Sequence, residues 1–269
     1  MLKRKGFTLI ELLVVIAIIA LLLSIIMPSM RAAKEKAQFL RCGFNLKAYG
    51  ITMKLYLDES DDVYPYCETS MFDGTNLPAP SSWACEWHDE RISPNNNPEC
   101  AGPLWPYMAS DAAHMCSTFK TFAKVYGEDH DWHDPSIPVN PQYAYSQNGF
   151  LGWESGVMKE SQVVSPSRTL VWVEETIWEI PGWAEWVLND TCFLSRHYLD
   201  STFGDFIATY HNTSVDLRDE GLGNAVFVDG HVQLCDPYYT IDLPGGGVAR
   251  NGFILSWPLK GKRSSTKPY

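Results

Sequence analysis

The strongest constraint on this chain lies at its start. Leu12-Leu13-Val14-Val15-Ile16-Ala17-Ile18-Ile19-Ala20-Leu21-Leu22-Leu23 is wholly apolar, Lys3-Arg4-Lys5 stands in front of it, and Glu11 is the one charge between Phe7 and Met27. With its flanks the run gives about 20 residues, enough for one helix to cross a hydrocarbon layer of about 30 Å. It is longer than the apolar part of an ordinary secretory signal, and Pro28-Ser29-Met30-Arg31 offers no A-x-A cleavage site. A carboxylate inside such a segment costs about 3 kcal/mol on insertion scales, so Glu11 needs something to neutralise it.

Lys3-Arg4-Lys5-Gly6-Phe7-Thr8-Leu9-Ile10-Glu11-Leu12 resembles the processing motif of type IV prepilins and type II secretion pseudopilins. The resemblance implies cleavage between Gly6 and Phe7 by a prepilin peptidase and N-methylation of Phe7. It also implies an assembly role for Glu11, whose carboxylate would pair with the new amine of an incoming subunit, so that a charge costly in the bilayer is compensated in a filament. Pro28 falls where such helices commonly carry a helix-loosening proline. Lys3, Arg4 and Lys5 favour a cytoplasmic N-terminus; Arg31, Lys34 and Lys36 flank the other end, and the motif decides for N-inside.

The chain carries 21 Lys+Arg against 32 Asp+Glu, a formal charge of −11, which excludes a nucleic-acid binder that relies on phosphate contacts. Loss of the three leader cations would take it to −14, and the basic tail from Lys260 to Lys267 is a solvated end. With 45% hydrophobic and 20% charged residues, the bulk reads as a folded domain rather than a multi-span membrane protein.

Beyond Pro28 the apolar residues Ala33, Ala37, Leu40, Phe44, Ala48, Ile51 and Leu55 recur in steps of three and four. This predicts that one helix runs from about Thr8 to Leu57 and packs this stripe on a globular head. Asp58-Glu59-Ser60-Asp61-Asp62 ends it as a solvated turn, calcium binding being the alternative reading of that run. Cys42-Gly43-Phe44-Asn45-Leu46-Lys47, Tyr56 and Tyr64-Pro65 resemble the C-x-x-N-L-K, tyrosine and Y-P pattern of a pseudopilin-like branch. That branch resumes with a central Cys turn, matched here at Cys116 without its usual proline, and a late D-G hairpin preceded by a His, here His197 or His211 with an inserted loop around 214–222.

Residues 67–161 are rich in Pro, Asn, Gly and Ser and read as loops and short turns. Arg168 to Val173 reads as a strand. Ala225-Val226-Phe227-Val228-Asp229-Gly230-His231-Val232-Gln233-Leu234 reads as a hairpin with a two-residue type I′ Asp-Gly turn, placing Phe227 and Val232 together on the core.

Chemistry finds little support. His130-Asp131-Trp132-His133-Asp134 is the densest metal-capable cluster but reads as a surface loop, and no H-E-x-x-H, G-x-S-x-G or phosphate-binding loop is present. His231 beside Asp229 reads as hairpin structure rather than a general base. Seven cysteines in a head outside the cytoplasm suggest disulfides, with Cys85–Cys100 and Cys42–Cys116 as candidate pairs. Ten Trp and 13 Tyr read as packed core, a glycan-stacking surface being the alternative.

The expectation is an α+β, pilin-like fold: a long N-terminal helix, membrane half plus amphipathic half, packed on a small antiparallel sheet with long loops. Residues 1–6 would be leader, 7–28 the transmembrane assembly helix, 29–58 its amphipathic continuation, and 59–269 the head. The function expected from the resemblance is structural, not enzymatic: a subunit of a secretion pseudopilus or type IV pilus-like filament. No metal or cofactor is expected beyond the calcium alternative. Partners would be identical or related pilins, prepilin peptidase, an inner-membrane assembly platform and membrane lipid. Its place would be the inner membrane, with one pass, a cytoplasmic N-terminus and a periplasmic head, and then a filament in the periplasm or at the cell surface. The rival is an anchored carbohydrate-binding or enzymatic head that never polymerises.

Overall fold

The computed structural model describes residues 8–79, 81–130, 132–152, 158–180, 187–194, 205–238, 240–243 and 247–250. They form two compact units, residues 1–40 and residues 41–269. One helix, α1 (Leu9–Glu59, 51 residues), contributes to both.

Over residues 9–30 α1 is apolar on every side apart from Glu11, and its side chains are exposed, from Leu9 and Ile10 to Ile25 and Met30. A helix that is hydrophobic all round is made for a lipid or protein surround rather than water. Pro28 lies inside it and deprives the Ser24 carbonyl of its intrahelical donor.

The second unit is an α+β domain built on a five-stranded sheet in the order β3-β1-β2-β4-β5, comprising β1 (Tyr145–Asn148), β2 (Leu170–Glu174), β3 (Cys192–Phe193), β4 (Gly223–Phe227) and β5 (Val232–Cys235). The sheet is mixed, not purely antiparallel, because β3 runs parallel to β1. The run from Arg168 yields β2, all five residues of which are buried. Side chains alternate across the sheet: Trp172 and Val226 face the core shared with α1, while Val173, Ala225 and Phe227 join a second cluster with Leu170, Phe193 and Ile207. An irregularity between Leu170 and Trp172 places Val171 with Trp172 on the helix side. A separate hairpin pairs β6 (Thr240–Leu243) with β7 (Gly247–Arg250).

Residues 67–144 are mostly loop punctuated by short 3₁₀ helices, as the Pro- and Asn-rich composition implies, but they also contain α2 (Ser117–Tyr126), which buries Phe119, Phe122 and Ala123. The expected helix stripe is corrected. The face of α1 that meets the sheet is Cys42, Leu46, Tyr49, Met53 and Leu57, whereas Phe44, Ile51 and Leu55 are exposed. At 100° per residue the two stripes lie about 180° apart, so periodicity alone describes both equally well. Gly50 sits on the buried side, where an added Cβ would come within 2.9 Å of a Val226 methyl.

Candidate functional site: the N-terminal segment and the head that follows it

Gly6 and Phe7 lie outside the described residues. Immediately after them, Thr8 and Glu11 close the start of α1: the Glu11 carboxylate accepts from the Thr8 backbone N–H and hydroxyl, each at 2.8 Å, and the Glu11 N–H donates to the Thr8 hydroxyl at 3.2 Å. This reciprocal arrangement satisfies donors that a helix N-terminus otherwise leaves open. Glu11 is exposed and keeps acceptor capacity for a partner.

With that geometry in view, comparison decides what the segment is: residues 1–27 match the family described as the prokaryotic N-terminal methylation motif. That motif is characteristic of type IV prepilins and pseudopilins. Such a motif marks a pilin-like precursor for processing by prepilin peptidase and for assembly with other pilins, and it fits membrane anchoring through the apolar helix. No curated protein and no solved structure matches the chain.

In the head, each polar position of the Cys42-to-Lys47 pattern has a task. Cys42 is disulfide-bonded to Cys116, across 74 residues, with a Cα–Cα distance of 5.1 Å. The Asn45 amide donates to the Met115 carbonyl at 3.1 Å, and Lys47 Nζ donates to the Gly230 carbonyl at 2.5 Å. The pattern therefore ties α1 to the Cys116 turn at one point and to the hairpin at another.

That hairpin differs from the expected one. Gly230 has φ +86°, but Asp229 is not among the residues with positive φ. Gly230 donates to the Phe227 carbonyl at 2.7 Å and Phe227 to the His231 carbonyl at 2.9 Å, which is a type I turn closed by a left-handed glycine bulge. The register pairs Val226 with Val232, so Phe227 turns to the opposite face of the sheet from Val232. His231 Nδ1 lies 2.6 Å from Asp229 Oδ1 and its ring stacks on Phe227, which accounts for both residues structurally.

His197 lies outside the described residues. His211 is buried, with Nε2 2.9 Å from the Glu174 carboxylate, which also accepts from the Asn224 backbone N–H at 2.7 Å and its side chain at 3.0 Å. The expected insertion closes on a bridge between His211 and Leu222. Together with Cys42 and Cys116, Glu174 and His211 form one of two groupings of metal-capable atoms among the described residues. Here the sulfurs are already committed to each other.

The acidic turn is neither grouping. Asp61 and Asp62 take left-handed conformations, and hydrogen bonds hold the turn: Lys159 to the Asp61 carbonyl, and Ser161 N–H to the Asp62 carboxylate. These bonds to Ser161, the largest influence, hold the Asp62 carboxyl below its ordinary pKa.

One sequence expectation is corrected and another refined. Cys85 does not pair with Cys100; the second bridge is Cys67–Cys192, joining the start of the loop region to β3, and Cys85, Cys100 and Cys235 carry free thiols. Sequence proximity favoured the local pair, but Cys85 is turned away towards the other cluster. The loop there lies at the surface as expected, with Trp132 77% exposed, but His130 is buried and His133 half-buried, and both rings turn inward to converge on Cys85 and His88. Burial pushes the His88 imidazole down to about 4, so the ring is neutral at physiological pH. The signal for this grouping was a C-x-x-H paired with an H-x-x-H, which a search for C-x-x-C does not see.

Proposed function

We propose that this chain is a structural subunit of a type II secretion pseudopilus or type IV pilus-like filament, held in the inner membrane by α1 with its N-terminus in the cytoplasm until an assembly platform draws it into the polymer. The carrying observation is the methylation motif at residues 1–27. The second support is α1 itself: exposed apolar side chains run through residues 9–30, and Phe44, Ile51 and Leu55 continue as an exposed face on the side of the helix opposite the sheet. Lipid covers the first set before assembly and neighbouring helices cover both afterwards. Cleavage creates an amine on Phe7, and its pairing with Glu11 of a neighbouring subunit replaces an uncompensated charge in the bilayer with an ion pair. The work is mechanical, and the head acts as a displayed structural body rather than a catalyst.

Most of the described tryptophans, Trp87, Trp105, Trp172 and Trp178, are core residues, which leaves Trp83 and Trp132 as the exposed ones on which a glycan-binding alternative would have to rest. Glu11→Val is the deciding experiment. It is expected to leave cleavage at Gly6/Phe7 intact and to abolish recovery of the subunit in sheared filaments; unchanged incorporation would refute the filament reading.

A further inference from the structure

Cys85, His88, His130 and His133 each direct one ligand atom into a common point, with all four atoms within 4.8 Å of one another. Cys85 and His88 come from one 3₁₀ turn (Trp83–His88), where residues three apart eclipse and so share a face. His130 and His133 come from the loop after α2, with Trp132 at φ +66°.

The spacings are those of a coordination sphere. His88 Nε2 lies 3.3 Å from His130 Nε2, His133 Nδ1 lies 3.2 Å from His130 Nε2, and Cys85 Sγ lies 3.9 Å from His133 Nδ1. Around a tetrahedral zinc ion, with Zn–N of about 2.0–2.1 Å and Zn–S of about 2.3 Å, ligand nitrogens sit about 3.3 Å apart and sulfur about 3.6 Å from nitrogen.

Proton bookkeeping points the same way. His88 Nδ1 lies 3.2 Å from the Pro138 carbonyl, which can only accept, so this nitrogen carries the proton and Nε2 presents a lone pair. That is the arrangement in which a ligating histidine is oriented by a carbonyl behind it. The Asp134 N–H donates to Cys85 Sγ at 3.4 Å, a contact that suits a thiolate. A single cation at the common point would be met by all four ligand atoms at once.

We propose that Cys85, His88, His130 and His133 form a closed, four-ligand structural site for a divalent transition metal, zinc. One thiolate and three imidazoles are borderline-soft donors suited to zinc and unsuited to calcium or magnesium. Four protein ligands leave no open position, so the ion holds structure and performs no chemistry. It fastens the 83–88 turn to the loop after α2 in a region composed mainly of short turns. The site stands whether or not the chain polymerises.

The test uses the full-length chain extracted from membranes in detergent. Elemental analysis is expected to find about one zinc per chain. Stripping with a chelator and refilling with cobalt(II) is expected to give the intense visible absorption of a tetrahedral site with a thiolate-to-cobalt band, and to restore the Tm lost on stripping. Cys85→Ser removes the thiolate band, and His88→Ala or His133→Ala weakens zinc binding by at least the 10–100-fold typical of losing an outer-shell partner. Should a variant not fold, stripping and refilling the unsubstituted chain decides. A chain that holds no metal and takes up neither zinc nor cobalt overturns the proposal, as does metal content unaffected by the substitutions in folded variants. A Cys85–Cys100 disulfide in the isolated protein, or copper with an intense blue colour in place of zinc, also overturns it.

Discussion

At the residue scale, the hairpin shows how much hangs on single positions. Gly230 combines a left-handed backbone with a carbonyl that accepts from Lys47, so one residue sets both the turn and its attachment to α1. Gly230→Ala is expected to destabilise the head by about 1–2 kcal/mol in urea unfolding, the cost of a side chain in that conformation, and Lys47→Met by about 0.5–1.5 kcal/mol through the lost hydrogen bond. Replacing Cys42 and Cys116 together by Ser should cost about 2–5 kcal/mol, read as an earlier urea midpoint than that of the bridged chain. Asp-Gly between apolar runs was legible as a hairpin, but not its subtype. Val228 is equally acceptable as the last residue of a strand or the first of a turn, and that choice decides whether Phe227 or Val226 shares a face with Val232.

At the element scale, α1 carries two apolar stripes, and only tertiary contact reveals which one the sheet takes. Cys42, Leu46, Tyr49, Met53 and Leu57 win because they meet Trp172 and Val226, with the Tyr49 and Trp172 ring centroids 4.6 Å apart and Gly50 admitting the sheet at close range. Gly50→Leu should therefore cost about 1–3 kcal/mol, as overpacking does. Phe44→Ser, on the opposite face, should stay within about 0.5 kcal/mol in head unfolding while lowering the yield of sheared filaments. Equal destabilisation by both substitutions would show that the exposed stripe is part of the head's own core. The existence and length of the helix were written in its apolar pattern and in the acidic turn after it. The metal-capable grouping was half legible: His130 and His133 stand three apart, but their partners lie more than forty residues earlier, and no local pattern announces that two turns will meet.

At the scale of the whole head, buried ionisable groups set how stability answers to pH. Burial, reinforced by Asp205, raises the Asp190 carboxyl to about 7 despite its hydrogen bond from the Cys192 N–H, and burial with Asp205 also holds Glu175 well above the ordinary range. An unfolded Asp releases its proton near pH 4, so between there and about 7 the folded head binds a proton that the unfolded chain has lost. Raising the pH through that window removes stability, and Glu175 extends the effect upwards. His114 works in the opposite direction: burial lowers it to about 4, so below about 6.5 the unfolded chain takes up a proton that the folded head refuses, and stability falls as the pH drops towards 4. From pH 8 to 6.5 the carboxyls act almost alone, and the formal charge of −11 adds a repulsion of the same sign. The Tm should therefore rise on going from pH 8 to 6.5, then level or fall as His114 opposes the carboxyls. Asp190→Asn should reduce the rise between pH 8 and 6.5 and steepen the loss of stability below 6.5, where Asp190 no longer offsets His114. Glu86, which burial raises to about 8, contributes in the same window, so a slope unchanged in Asp190→Asn would place its source in Glu86, Glu175 or surface charge and show that Asp190 is not what couples this fold to pH.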